Sequence, residues 1–406
     1  MNFLKKVYCR IFQMGFRIAM PFLPYRDPKL VNSCGDLADV LKNEKANTVL
    51  IVTDAGIVSH GLVKPVLQAI EKAGASYHVF DATKPNPTVN NVESALSLYH
   101  EKNCDCLIAI GGGSAIDCAK AVGARVVYPK RSLAQLGGIL KVWRKLPLFI
   151  AIPTTAGTGS ETTVAALITD EAKAHKYALM SFPLISHYAV LDASLTYSLP
   201  SHITATTGMD ALAHAVEAYI GRSTTRQTRQ LALEATALVF ENVETAYRCG
   251  NDHKARENML RAAHKAGIAF SKSYVGYIHA IAHSLGGKYG TPHGLANAVL
   301  MPYVLDAYGA SVYKKLHRLG IAAGVSSAED SHEAGAKKFI TAIKMLNAKM
   351  NIPETLEGIV PEDISAMARF AEKEANPLYP VPRLMTREEL ENFYFRVADW
   401  RKENDK

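Results

Sequence analysis

Short apolar runs alternate with amphipathic stretches over the first half of the chain. Thr48–Thr53 (TVLIVT), Ser76–Phe80, Cys106–Ile110 and Leu148–Ile152 are β-rich runs, and Ser59–Ala73, Val89–Glu101 and Ala115–Val127 between them carry apolar residues at helical spacing. Strands that are apolar throughout are buried on both faces, and helices between them supply the crossovers that parallel strands need. The pattern predicts a parallel sheet with helices on both sides. Val164–Thr169, Lys176–Ser181 and Tyr188–Leu191 then follow one another without a helical spacer, which predicts an antiparallel ribbon or extra strands on that sheet. After Leu199-Pro200-Ser201 the strand signals stop. From Ile203 onward the period is helical, punctuated by Gly250, Gly286-Gly287, Gly290, Pro292, Pro353 and the Pro377–Pro382 loop. We expect an α/β domain over residues 28–199 and an all-helical domain over 200–406.

The first 27 residues stand apart as an extension. Charge interrupts Met1–Pro24 too often for a membrane span, and the small-residue cleavage site of a signal peptide is missing. On a helical wheel Phe3, Val7, Ile11, Met14 and Ile18 share one stripe, and Lys6, Arg10, Gln13 and Arg17 share another. A basic amphipathic helix is expected. We read it as docked on its own domain or on a second subunit, with a membrane-surface anchor as the alternative.

A length of 406 residues suits two domains, and 48% hydrophobic with 21% charged residues is the profile of a packed globular protein. Six of the 46 basic residues lie in the first 30 against one of the 38 acids, which leaves 40 and 37 elsewhere. The net charge of +8 is therefore mostly an N-terminal property, and without a basic stripe interleaved with aromatics we expect no nucleic-acid partner. The six cysteines form no disulfide or zinc framework, as suits reduced thiols in a cytoplasmic protein.

Three segments of the first half suit a nucleotide. Ile110–Lys120 (IGGGSAIDCAK) places Gly111, Gly112, Gly113 and Ser114 between a strand and a helix, where the backbone can approach a phosphate and the helix N-terminus offers unpaired N–H groups. It is not the GxGxxG fingerprint, and it follows the third strand rather than the first. Asp54, ending VLIVTD, can accept from a ribose diol and repel a 2′-phosphate, or can cap a helix. Pro153–Glu161 (PTTAGTGSE) is a hydroxyl-rich loop at the carboxyl end of a strand, where ligands of open α/β sheets bind.

The strongest signal lies in the helical half. In Gly208–Ile220 (GMDALAHAVEAYI) the polar exceptions Asp210, His214 and Glu217 share one face of an apolar helix, and Asp210 and His214 are spaced to ligate one metal. In Tyr277–Gly294 (YIHAIAHSLGGKYGTPHG) His279 and His283 are again four residues apart, and His293 follows a turn. One carboxylate and several imidazoles without a thiolate suit Fe(II), Zn(II), Co(II) or Ni(II). Spacing alone does not choose between His279 and His283.

These segments together resemble the iron-dependent (group III) alcohol dehydrogenases. The likeness runs from about Pro28 to the C-terminus through VTD54, PNP85–87, GGGS111–114 with Asp117 and Lys120, PTTAGTGSE153–161, TGMDALAHAVE207–217, HAIAHSLGG279–287, TPHG291–294 and NP376–377. It implies a Rossmann-like parallel sheet followed by a helical domain, in a dehydroquinate synthase-like architecture. It implies Asp210, His214, His279 and His293 as metal ligands, Fe(2+) with Zn(2+) as the alternative, and His283 as a catalytic residue beside the nicotinamide. For NAD, with NADP disfavoured, it implies Asp54 at the ribose, Asn86, Gly113 and Ser114 near the pyrophosphate, and Thr154, Thr155, Thr163, Lys176 and Leu195 around the rest.

The implied reaction is hydride transfer between nicotinamide and a small primary alcohol or its aldehyde, in a homodimer. Alternatives on the same scaffold are a hydroxyacid–oxoacid transhydrogenase or a lactaldehyde/propanediol oxidoreductase; the non-enzymatic alternative is a membrane-associated scaffold. In place of the family's Asp-Pro this chain has Asp192-Ala193, and the first 25 residues exceed the family's usual start.

Overall fold

The computed structural model describes residues 3–171 and 175–400. It divides into two compact units, Pro24–Leu199 and Met1–Leu23 with Pro200–Lys406.

The first unit is built on a six-stranded parallel sheet. Its strands are β1 (Lys29–Val31), β2 (Thr48–Val52), β3 (Ser76–Phe80), β4 (Cys106–Gly111), β6 (Leu148–Pro153) and β9 (Tyr188–Val190), in the order β1-β9-β6-β4-β2-β3; β5 (Gly138–Ile139), β7 (Ala165–Asp170) and β8 (His175–Met180) form a second sheet. Successive side chains of a strand point to opposite faces. Leu50, Leu107 and Phe149 enter one core with Val92, Leu96 and Ile116 from helices Val89–Glu101 and Gly113–Val127. Their neighbours Ile51, Ile108 and Ile150 enter a second core with Leu37, Leu41, Val66 and Ile70 from helices Leu37–Asn43 and Lys64–Ala73. Both faces are dry, which is why the strands read as uninterrupted apolar runs.

The segment without helical spacers resolves into both of its expected forms. β7 and β8 pair antiparallel outside the main sheet, whereas β9 joins it between β6 and β1. β1 carries no signal in the pattern, because three residues with one buried side chain show no period.

Lys120 lies fully buried on helix Gly113–Val127. Its ammonium donates to the carbonyls of Ser160 (2.6 Å), Thr163 (2.9 Å) and Ala165 (2.8 Å) and to Thr163 Oγ1 (2.8 Å). Burial pushes its pKa down to about 8, against the upward pull of Asp117 and Glu161. One cation thus ties the glycine-turn helix to the end of the hydroxyl-rich loop and the start of β7.

The second unit is helical. Its long helices include Ser201–Ile220, Arg226–Arg248, His253–Ser273, Tyr277–Tyr289, His293–Tyr308, His332–Lys349 and Pro361–Ala375, and its only β-pairing among the described residues is an isolated bridge between Leu356 and Ala398. The N-terminal helix Phe3–Ala19 packs here, but not through its apolar stripe. Gln13 is buried and donates to the carbonyls of Tyr379 (2.8 Å) and Pro377 (3.3 Å), and Arg10 donates to those of Val381 (2.7 Å) and Pro382 (3.0 Å). Lys5 pairs with Glu372 at 2.6 Å, and Phe16 meets the edge of Tyr274. No described helix is long and apolar enough to cross a membrane.

Replacing Lys120 by Met removes the ammonium that three carbonyls share, leaving that of Thr163 without a donor and those of Ser160 and Ala165 with only the longer bonds from Thr163. We predict a loss of about 2–4 kcal/mol of stability, read from the urea midpoint; an unchanged midpoint contradicts the tie.

Candidate metal centre

Helix Ser201–Ile220 is apolar on all sides and buried along nearly its whole length, so any polar group on it must meet a partner inside the protein. Asp210, His214 and Glu217 do so. Asp210 Oδ1 lies 3.5 Å from His293 Nε2 and 3.9 Å from His279 Nε2, and Asp210 Oδ2 lies 3.9 Å from His214 Nδ1. One ligand atom from each of Asp210, His214, His279 and His293 falls within a group no more than 4.8 Å across. Phe270 stacks on the His214 ring at 4.0 Å between centroids, 13° from parallel, and fixes its plane.

The close approach of the two ligand-bearing helices depends on Gly294. A Cβ there would sit 2.4 Å from the Thr206 carbonyl oxygen, so the helix that begins with His293 reaches Asp210 only because the next residue has no side chain. One turn further on, Asn297 donates through Nδ2 to Asp210 Oδ1 (2.7 Å) and lies 3.1 Å from His293 Nε2.

Glu217 anchors the other helix. Its Oε2 accepts from the Gly276 N–H (2.7 Å) and faces His279 Nδ1 at 2.7 Å, while Oε1 accepts from the Ile278 N–H (2.9 Å). The carboxylate therefore satisfies otherwise orphaned N–H groups at the start of helix Tyr277–Tyr289 and sets the tautomer of His279. Burial raises the Glu217 carboxyl to about 7 against the pull of the donors from Gly276, Ile278 and His279. Burial, then the charges of His214, His293 and His283, hold His279 well below the ordinary histidine range. With Nδ1 engaged, His279 Nε2 is buried, makes no hydrogen bond, and belongs to the four-atom group. A neutral, fixed imidazole with its second nitrogen aimed at a carboxylate and two further imidazoles is a donor set that fits a divalent cation of the iron-to-zinc series.

His283 lies outside this group. Its ring stacks against His293 (5.1 Å, 16°), and its Nδ1 is turned to Glu374 Oε1 at 2.6 Å. Tyr379 donates to the same Glu374 oxygen at 2.6 Å. Burial raises the Glu374 carboxyl, but His283 and the Tyr379 hydroxyl outweigh it and hold it below its ordinary value.

In the α/β unit the three nucleotide segments meet at the carboxyl ends of β2, β4 and β6. Asp54 caps the short helix after β2, Oδ1 accepting from the Ile57 N–H at 3.1 Å, and its other oxygen faces Gly111. The capping role expected of Asp54 is thus carried by Oδ1 alone. The Asn86 N–H donates to Ser114 Oγ (3.3 Å), and the Thr154 N–H to the Gly111 carbonyl (3.0 Å). A side chain at Gly112 would meet Thr155, and one at Gly113 would meet Thr158. Thr163 is buried with its hydroxyl on Lys120, and Leu195 is a core residue. Lys176 occupies β8 opposite Thr169, and its side chain lies outside the described residues.

Sequence reasoning marked Glu217 as a polar exception without giving it a task, and it passed over Asn297, Phe270 and Glu374. Glu217 carried a usable signal, a third polar residue on an apolar stripe that already bears two ligand candidates. The others act across helices, where no spacing rule reaches.

Family models match nearly the whole described chain: "Iron-containing alcohol dehydrogenase" covers residues 31–193, and "Fe-containing alcohol dehydrogenase family, C-terminal" covers 204–397. Alcohol dehydrogenase 4 of Saccharomyces cerevisiae (strain YJM789) is 39% identical over 345 residues, 84% of this chain and 88% of that protein. The NAD-dependent methanol dehydrogenase of Bacillus methanolicus is 35% identical over 333 residues, 82% and 87% of the two chains. The crystal structure of a 1,3-propanediol oxidoreductase superposes with a TM-score of 0.88 at 32% identity, over 92% of this chain and 98% of that one.

Glu217→Gln keeps the shape but replaces one acceptor oxygen by a donor. We predict a fall of about ten- to a hundredfold in metal affinity by chelator competition, with the circular dichroism spectrum unchanged. Parent-like affinity would remove Glu217 from the site.

Proposed function

The chain belongs to the iron-containing alcohol dehydrogenase family, and on that premise we propose how its own residues carry the work of a metal-dependent, NAD-linked alcohol dehydrogenase. The reaction is hydride transfer between nicotinamide and a small primary alcohol or its aldehyde. The observation that carries the reading is the convergence of one carboxylate and three imidazoles, two of them held by Glu217 and Asn297.

In this reading Asp210, His214, His279 and His293 hold Fe(2+), with Zn(2+) as the alternative. When bound, the cation supplies a Lewis acid for the substrate oxygen and NAD accepts or returns the hydride. Glu217 fixes the tautomer and aim of His279, which burial and the neighbouring histidines keep neutral, Asn297 keeps Asp210 and His293 in register, and Phe270 prevents His214 from turning. Glu374 holds His283 through Nδ1, which leaves Nε2 as the atom that would take up or return the proton of the substrate hydroxyl. We assign residues 28–199 to cofactor binding and 200–406 to the metal centre. The free Oδ2 of Asp54 takes the adenosine ribose, while Asn86, Gly113, Ser114, Thr154, Thr155, Thr163, Lys176 and Leu195 surround the remainder of NAD.

A diol substrate is a second reading, favoured by the likeness to the 1,3-propanediol oxidoreductase structure. A cytoplasmic homodimer goes with the assignment, and six free cysteines suit a reducing compartment.

Anaerobic reconstitution with Fe(II) or Zn(II), followed by a reductase assay over an aldehyde panel, tests the reading. We predict that chelation abolishes turnover and that the cation restores it. His283→Ala is predicted to lower kcat about 10²- to 10⁴-fold with metal content intact; loss of metal instead would exchange the roles of His279 and His283. Asp54→Gly removes the charge that repels a 2′-phosphate and is predicted to raise relative NADPH use about tenfold. An unchanged cofactor ratio would take Asp54 away from the ribose.

A further inference from the structure

The N-terminal helix is turned inside out relative to the usual docked helix. It buries Cys9 and Gln13 against the helical unit and leaves its apolar face outward: Leu4 is 76% exposed, Tyr8 58%, Ile11 59% and Ile18 64%, and Phe22 just beyond the helix is 85% exposed. A contiguous apolar face of this kind marks a surface that something covers.

Its borders are cationic. Lys6 and Arg17 flank the exposed face along one edge and Lys5 along the other, and the first acid of the chain is Asp27. Along the Lys6 and Arg17 edge runs a cleft of about 550 Å³ lined by Arg10, Gln13, Arg17, Arg222, Arg383 and Leu384. The nearby acids are already engaged, Glu372 by Lys5 and Arg387 and Glu389 by Arg383. Among the described residues no carboxylate pairs with Lys6, Arg17 or Arg222. Lys315 donates to the last carbonyls of helix Ser201–Ile220, and its pKa is pushed down to about 8 by burial and then by Arg222, Arg229 and Arg17. Among the described residues, Arg17, Arg222 and Arg229 lie close enough to repel Lys315, and none of the four pairs with a carboxylate.

An apolar face rimmed by Lys and Arg matches an anionic lipid surface, in which the apolar side chains enter the acyl boundary and the cations stay at the phosphates. A second copy of the helix matches it poorly: with no acid between Phe3 and Ala19, pairing two of them sets cation against cation. We propose that Phe3–Ala19 is a membrane-surface anchor, with Leu4, Tyr8, Ile11 and Ile18 in the interface of an anionic bilayer and the Arg17–Arg222 cleft over lipid phosphate. The anchor is independent of the reaction, because none of its residues belongs to the metal or cofactor sets.

Co-sedimentation of the full-length, metal-loaded enzyme with phosphatidylglycerol-containing vesicles and with pure phosphatidylcholine vesicles tests this, alongside light scattering of the lipid-free protein. Binding is expected to the anionic vesicles and to weaken as salt rises from about 0.1 to about 0.5 M. Ile11→Glu or Ile18→Glu is expected to cut partitioning more than tenfold, and Arg17→Ala or Arg222→Ala about fivefold each, with turnover in solution unchanged. Equal or absent binding to both vesicle types overturns the proposal. So does a lipid-free oligomer that Ile11→Glu breaks apart, since a second copy then covers the face.

Discussion

The convergence of Asp210, His214, His279 and His293 depends on one buried carboxylate outside that group. Glu217 accepts the Gly276 and Ile278 N–H groups and meets His279 Nδ1 within the same 2.7–2.9 Å shell. A helix start buried without partners is costly, and a buried carboxylate without donors is more so. Here each need satisfies the other. The helix Tyr277–Tyr289 can therefore begin inside the core, and its second turn delivers His283 beside a ring whose tautomer is already set.

The α/β unit solves a similar problem with the opposite charge. Lys120 gathers carbonyls from Ser160, Thr163 and Ala165, the segment between the hydroxyl-rich loop and β7. A single helical turn over Ser160–Thr162 and the first residue of β7 leave backbone acceptors there that no regular ladder fully satisfies, so an ammonium with three donors can define the path between them. Asp117, on the same helix, accepts from Ser160 Oγ and the Leu167 N–H. The helix that follows the glycine turn is thus held at both signs of charge, which adds to the direct bond from the Thr154 N–H to the Gly111 carbonyl in keeping the turn in place.

Much of this was legible in the residues. Uninterrupted apolar runs specify strands buried on both faces, and the structure shows why: alternate residues of β2, β4 and β6 enter two separate cores. An acid and imidazole stripe on a helix with no solvent-facing side has few outcomes other than a partner in the interior, and Asp210, His214, His279 and His293 do converge. The four members were legible only as candidates, because i, i+4 spacing places His279 and His283 on one face equally well. Geometry separates them, one facing Glu217 and Asp210, the other facing Glu374. That separation depends on helices more than 60 residues away in sequence, which periodicity cannot see.

The N-terminal helix shows the same limit from another side. Amphipathicity is a property of the sequence, but which face docks is decided by what the surface offers. The loop from Pro377 to Pro382 presents backbone carbonyls that a surface of side chains would not, and Gln13 and Arg10 satisfy four of them. Burying those carbonyls under Ile11 and Ile18 would strip away these side-chain donors, at about 1–3 kcal/mol for each carbonyl left with no other partner. The polar stripe therefore wins the docking contact, and the apolar one is left outward.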